Sequence, residues 1–112
     1  DNYDYNKKNE LEKVMVYEID NFVVGFMQYM KVYETIELLY LVVDENYRKK
    51  GIGTDLIKYL NGINGAERII LEVRETNTVA RSFYSKNGFY VQREIKNYHS
   101  NGESAYSMEK VI

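Results

Sequence analysis

Apolar positions along the chain repeat with two different periods, and the switches between them mark out the elements. Leu11, Val14, Val16 and Ile19 alternate loosely, which predicts a strand from about Leu11 to Ile19. Asp20-Asn21 follows, two residue types that tolerate a left-handed backbone, so a two-residue hairpin turn is expected there. Phe22 to Val32 then reads as the return strand, with Gly25 a place for a bulge. A third run, Ile36 to Val43, is rich in Leu and Val with little charge and predicts a buried central strand.

The period then changes. Leu56, Ile57, Leu60 and Ile63 have helical spacing, and Asn61-Gly62 or Asn64-Gly65 ends that helix. Arg68 to Val73 reads as a strand. Residues 77 to 87 predict a second helix, capped by Asn77 or Thr76, with Val79, Ala80 and Phe83 toward the core and Asn87-Gly88 as terminator. Two last strands, about 89–98 and 104–111, flank a turn at Ser100-Asn101-Gly102. The order is three strands, helix, strand, helix, two strands. A strand–helix–strand unit in the middle implies one parallel pair with a right-handed crossover, and the hairpins at both ends make the sheet mixed. The expected class is α/β (α+β). Residues 1–10 are polar and lack periodicity, so they read as a tail ahead of a single domain over 11–112.

Composition narrows the function. A chain of 112 residues makes one domain, and 45% hydrophobic with 29% charged residues is the balance of a folded globular protein. The net charge of −2, with both signs interspersed, argues against non-specific nucleic-acid binding. No apolar run has the length to cross a bilayer and no leader pattern opens the sequence, so no membrane partner is expected and the cytoplasm is the expected location. Without cysteine there is no disulfide, no thiolate zinc site and no cysteine nucleophile, and one histidine does not build a multi-histidine metal site. No metal is expected. The twelve tyrosines are spread through every element and read as half-buried filler.

The stretch from Leu41 to Thr54 carries the most chemistry. A buried strand runs into Asp44–Lys50, then Gly51-Ile52-Gly53, then a helix start. Glycines let successive N–H groups curl toward one point, and a helix N-terminus adds unpaired N–H groups and partial positive charge. Such an arrangement cradles a pyrophosphate, with Arg48, Lys49 and Lys50 as neighbouring cations. A solvated basic loop with turn glycines has the same short pattern. No Gly-Lys-Ser/Thr follows, so this is not a P-loop, and a dinucleotide fingerprint would need a third glycine.

Arg48-x-x-Gly51-x-Gly53, directly after Val43-Asp44, resembles the Q/R-x-x-G-x-G/A motif of the GNAT N-acetyltransferases. Leu71-Glu72-Val73-Arg74-Glu75-Thr76-Asn77, Ala80, Phe83-Tyr84, Asn87-Gly88-Phe89, Asn97-Tyr98, Glu103-Ser104-Ala105 and Met108 are similar to the ribosomal-protein alanine N-acetyltransferase branch, of RimI type. The resemblance runs from about Leu11 to the C-terminus. It implies a mixed, mostly antiparallel sheet with flanking helices, and acetyl-CoA as cosubstrate. By resemblance, the amides of Gly51, Ile52, Gly53 and Thr54 hold the coenzyme pyrophosphate, with Arg48 and Lys50 nearby. Backbone groups of Leu41 and Val43 hold the pantetheine and the acetyl carbonyl, and Asn77 adds a coenzyme contact to its capping role. Glu72 is implied as general base and Tyr84 as general acid at the coenzyme sulfur. From pattern alone Glu72 equally fits a solvent-facing strand position, and a helical tyrosine equally fits core packing. Tyr98 and His99 border the implied acceptor channel; His99 stands where the branch often has a second tyrosine and is given no catalytic role.

The family ordinarily has another strand and two helices before the strand at Leu11, so the resemblance implies an N-terminally truncated form of the fold. Apolar sheet surface left bare by their absence predicts homodimerisation. The implied reaction is acetyl transfer to a primary amine, foremost a protein N-terminal amine. Acetylation of a small-molecule amine, and coenzyme binding or self-association without turnover, are the alternatives.

Overall fold

The structure, a computed structural model, describes residues 11–112; the expected polar tail at 1–10 lies outside the described residues. Strand β1 (Glu12–Ile19) and β2 (Phe22–Val32) form an antiparallel hairpin closed by Asp20 and Asn21, at φ +52° and +70°. Two successive left-handed residues twist the turn in the sense that β-strands themselves twist, which is why these residue types mark it. The register slips by one residue at Val24, beside the expected position at Gly25. Gly25 has a second reason to be glycine: a Cβ there would lie 3.0 Å from Ile52 Cγ2 and 3.2 Å from Tyr17 Cβ.

Strand β3 (Thr35–Val43) pairs antiparallel with β2 and runs through a short 3-10 turn, Glu45–Tyr47, into helix α1 (Ile52–Asn61). Ile52, Leu56, Ile57 and Leu60 form the buried stripe of α1, and Gly62 ends it, the first of the two expected stops. Strand β4 (Arg68–Arg74) leads to helix α2 (Thr78–Lys86), and strands β5 (Tyr90–Ile95) and β6 (Ala105–Val111) complete the fold. Among the described residues the sheet has six strands in the order β1-β2-β3-β4-β6-β5, with β3 and β4 the one parallel pair. The expected element order and mixed sheet are therefore present. Both helices lie on one face, where α1 meets Gly25 through Ile52 and α2 meets Gly53 through Phe83. The core they cover is centred on Met27, Ile36, Ile57, Leu60, Ile69 and Met108.

Three expectations are corrected. Strand β3 is central but not buried on both faces: Tyr40 and Val42 are 62% and 54% exposed. They sit in two cross-strand rows, Val14–Gln28–Tyr40 and Val16–Phe26–Val42, on the face opposite the helices. Val79 is 80% exposed rather than in the core, because α2 turns only Ala80, Phe83 and Tyr84 inward. Strand β5 ends at Ile95 instead of 98, since Asn97 at φ +53° breaks the extended backbone and opens a longer connection before β6.

Arg68 explains where the parallel pairing lies. Its Nη1 donates to Glu34 Oε2 at 3.1 Å and Thr35 Oγ1 at 2.9 Å, while its Nε faces the buried Glu109 carboxylate at 3.8 Å. One guanidinium thus ties the starts of β3 and β4 to the end of β6. No helix among the described residues is long and apolar enough to cross a membrane.

Candidate active site

The parallel ladder between β3 and β4 has only three residue pairs, Thr35↔Arg68, Ile36↔Ile69 and Glu37↔Ile70. Beyond them β3 stays with β2 and β4 stays with β6, so the two strands part toward their C-terminal ends. Leu39 is an extra, bulged residue at the start of that opening. Asp44 N donates to Val24 O at 2.8 Å, and by the alternation of an antiparallel ladder the backbone groups of Leu41 and Val43 point away from β2, into the opening. Unpaired main-chain groups along a strand need a partner, and this stretch of β3, apart from Val43 O, which accepts from Arg48 Nε, presents them to whatever enters between the strands.

Helix α1 begins at the mouth of the same opening. Lys49 and Gly51 have φ of +62° and +84°, and this pair of left-handed residues swings the chain from the 3-10 turn into the helix. Asp55 N closes the first helical bond to Gly51 O at 2.9 Å. The amides of Ile52, Gly53 and Thr54 therefore have no partner among the described residues, and the helix dipole adds to their pull on an anion. The side chain of Ile52 is buried, so only its amide is presented. Lys50 is exposed beside them. Arg48 is tied back, its Nε donating to Val43 O at 3.1 Å, which couples the basic loop to the end of β3.

Gly53 is explained by packing as much as by ligand approach. A Cβ there would sit 2.8 Å from Phe83 Cζ, so its absence lets α2 rest on the first turn of α1. Tyr84 follows Phe83 along α2. Tyr84 packs edge-on against Phe83 and Phe89, with centroids 5.3 and 5.4 Å away. Burial pushes its phenol up to about 12, so it keeps its proton across the neutral range. Asn77 caps α2, its Oδ1 accepting from Ala80 N at 3.1 Å.

Glu72 is exposed near the end of β4, between the buried Leu71 and Val73. The Tyr98 hydroxyl faces it, and the carboxylate's acceptor oxygens and negative charge raise the phenol's pKa. The His99 ring lies edge-on to Tyr98 at 5.0 Å, and its buried Nε2 has no partner among the described residues. The structure thus gathers the loop residues, Leu41, Val43, Glu72 and Asn77 at one end of the sheet, and Tyr84 packs on Phe83, the residue of α2 that meets Gly53.

Sequence reasoning missed what fastens Tyr98 there. Glu103 Oε1 accepts from Arg74 Nη1 at 2.7 Å, and its other oxygen accepts from Thr76 N at 3.3 Å and from the Thr76 hydroxyl. Glu75 and Ser104 exchange two more bonds, and His99 N donates to Glu103 O. The β5–β6 connection is thereby clamped to the end of β4. The same motifs named these residues, but nothing in their spacing paired them. Bonds from Thr76 and then Arg74 hold the Glu103 carboxyl down at about 2, against an ordinary 4.5. A depressed carboxyl contributes stability that is present above the unfolded pKa and lost as pH falls through the folded one. The parent's melting temperature is therefore expected to fall more steeply than that of Glu103→Gln between pH 4.5 and 2; parallel curves from thermal scans would discount the clamp.

An acetyltransferase (GNAT) domain model matches residues 10–91. An N-alpha-acetyltransferase of Sulfurisphaera tokodaii is 39% identical over 72 residues, 61% of this chain and 43% of that protein. Two solved structures are similar. The ribosomal-protein alanine N-acetyltransferase of Escherichia coli superposes with a TM-score of 0.81 at 26% identity, over 92% of this chain and 70% of that one. A PaiA N-acetyltransferase of Thermoplasma acidophilum, in complex with coenzyme A, gives a TM-score of 0.77 at 27% identity, over 96% and 65%. The chain spans 43% to 64% of the length of the first curated relatives it matches.

Proposed function

The chain belongs to the GNAT acetyltransferase family, and from that premise we propose that it moves the acetyl group of acetyl-CoA to an amine, with a protein N-terminal amine as the acceptor. The observation that carries this reading is the parting of β3 from β4 beside a helix start with free amides. An extended pantetheine fits a strand edge with unpaired main-chain groups, and a pyrophosphate fits the amides of Gly51 to Thr54. The residues present therefore suit the coenzyme, which when bound supplies an activated acetyl thioester.

Each remaining task falls to a group of this chain. A main-chain N–H of β3 at Leu41 or Val43 polarises the acetyl carbonyl oxygen. Glu72, exposed at the open end, takes a proton from the incoming ammonium, directly or through water, and the Tyr98 hydroxyl orients its carboxylate. Tyr84 Oη donates a hydrogen bond to the coenzyme sulfur. With its phenol at about 12 and a thiol near ~8.5, hydrogen-bond donation is favoured over full proton transfer. The N-terminal acceptor rests on the relative described above as an N-alpha-acetyltransferase and on the neighbour that acts on a ribosomal protein's alanine.

Calorimetric titration with acetyl-CoA tests the reading. Micromolar binding is expected, and Gly51→Val is expected to abolish it, because a β-branched residue resists φ +84° and turns the loop amides away. No binding to the folded parent would overturn the proposal; binding followed by acetylation of N-terminal peptides would support it. Self-association through the apolar rows that include Val14, Val16, Phe26 and Val42 belongs to the same reading. Sedimentation is expected to show a dimer that Val16→Lys disrupts, and a monomer at high concentration would remove it.

A further inference from the structure

A second concavity lies at the opposite end of α1, about 15 Å along the helix from the glycine loop by the rise of its ten residues. It is an open groove of about 680 Å³, within the range of small-molecule sites. Leu11, Ile63 and the rings of Tyr29 and Tyr59 form its apolar walls, and Lys13, Lys31 and Lys58 converge on it. Among the described residues no carboxylate lines it, and none of the three ammoniums has an ion-pair partner. Three like charges around one groove repel each other, in a chain whose net charge is −2.

The end of the helix accounts for only one of them. Lys58 sits in the last turn of α1, where the dipole favours a cation. Lys13 and Lys31 come from β1 and β2 and have no such reason. Two of the terminal carbonyls are already satisfied as well: Gly62 N bonds to Tyr59 O at 3.1 Å and Ile63 N to Leu60 O at 3.2 Å. The rings of Tyr29 and Tyr59 stand edge to face at 6.3 Å, with Tyr29 buried and Tyr59 half-exposed to the groove. Burial first, then the neighbouring Tyr59 hydroxyl, pushes the Tyr29 phenol up to about 12, so it adds no negative charge.

We propose that this groove is a second ligand site, separate from the acetyl-transfer site, for a small phosphorylated molecule with a planar or apolar body. The lysines engage the phosphates, and the tyrosine and aliphatic walls take the body.

Amide NMR titration of the full chain tests this, with ADP as the probe and coenzyme A present to fill the glycine loop. Shifts are expected at Lys13, Tyr29, Lys31, Lys58 and Ile63, weakening as salt is raised. Lys31→Gln with Lys58→Gln is expected to weaken ADP binding at least tenfold, and adenosine, without phosphates, is expected to leave these amides unmoved. Shifts confined to Arg48–Thr54, equal affinity in the double variant, or adenosine binding as well as ADP would each overturn the proposal. The groove and loop amides are distinct, so failure of the coenzyme reading would appear separately, as ADP shifts at the loop that coenzyme A does not suppress.

Discussion

Replacing Glu72 by Gln is expected to lower kcat by about 10²- to 10⁴-fold while leaving acetyl-CoA affinity unchanged. The two effects separate because Glu72 stands on β4, across the opening from the β3 edge and the α1 amides proposed to hold the coenzyme. An N-terminal amine has a pKa near ~7.7–8.0, so at neutral pH most of it is an ammonium that cannot attack. A glutamine keeps the size and polarity of the side chain but cannot take the proton. The loss is therefore expected to shrink as pH rises above ~8, where the amine loses its proton unaided. Tyr84→Phe is the companion measurement, removing one hydrogen bond to the sulfur, and about a tenfold loss in kcat is expected. A Glu72→Gln enzyme with full turnover at pH 7 would show that the proton leaves by another route.

The second large effect is expected from Gly53→Val. Even a bare Cβ would stand 2.8 Å from Phe83 Cζ and 3.1 Å from Cε1, and valine adds two methyls to that overlap. Overpacking of this kind costs about 1–3 kcal/mol, which in a chain of this size lowers the melting temperature by about 10 °C. The physical consequence is a separation of α2, which carries Tyr84, from the first turn of α1. Adding Phe83→Leu is expected to return part of the lost stability by vacating the space. An unchanged melting temperature in Gly53→Val would mean that the Phe83 ring yields at no cost, leaving this glycine to ligand approach alone.

Much of the fold could be read from local pattern. Apolar spacing, apolar runs and turn residues placed all six strands and both helices, because each of these signals acts among neighbours along the chain. Asp20-Asn21, Gly51, Gly62 and Asn87-Gly88 marked turns and helix ends for the same reason: their backbone preferences act within two or three residues. The loop from Arg48 to Thr54 was equally local, a strand end, two glycines and a helix start in direct succession.

What only the tertiary structure decided lies between residues far apart in the chain. Arg68, tying Glu34, Thr35 and Glu109 together, fixes where the β3–β4 ladder starts, and no periodicity in β3 announces where its partner leaves it. The exposure of Tyr40 and Val42 follows from which sheet face the helices cover, so an apolar run alone could not tell a two-sided strand from a one-sided one. Val79 has the residue type of a core position but faces outward, because the docking of α2 on Gly53 selects Ala80, Phe83 and Tyr84 instead. The clamp from Glu103 to Arg74 and Thr76, which holds Tyr98 near Glu72, spans 29 and 27 residues. The sequence by itself determined the elements and the glycine loop, since those depend on neighbours along the chain. The opening between the strands and the pairing of Glu72 with Tyr98 depend on how those elements pack against one another, which only the folded chain specifies.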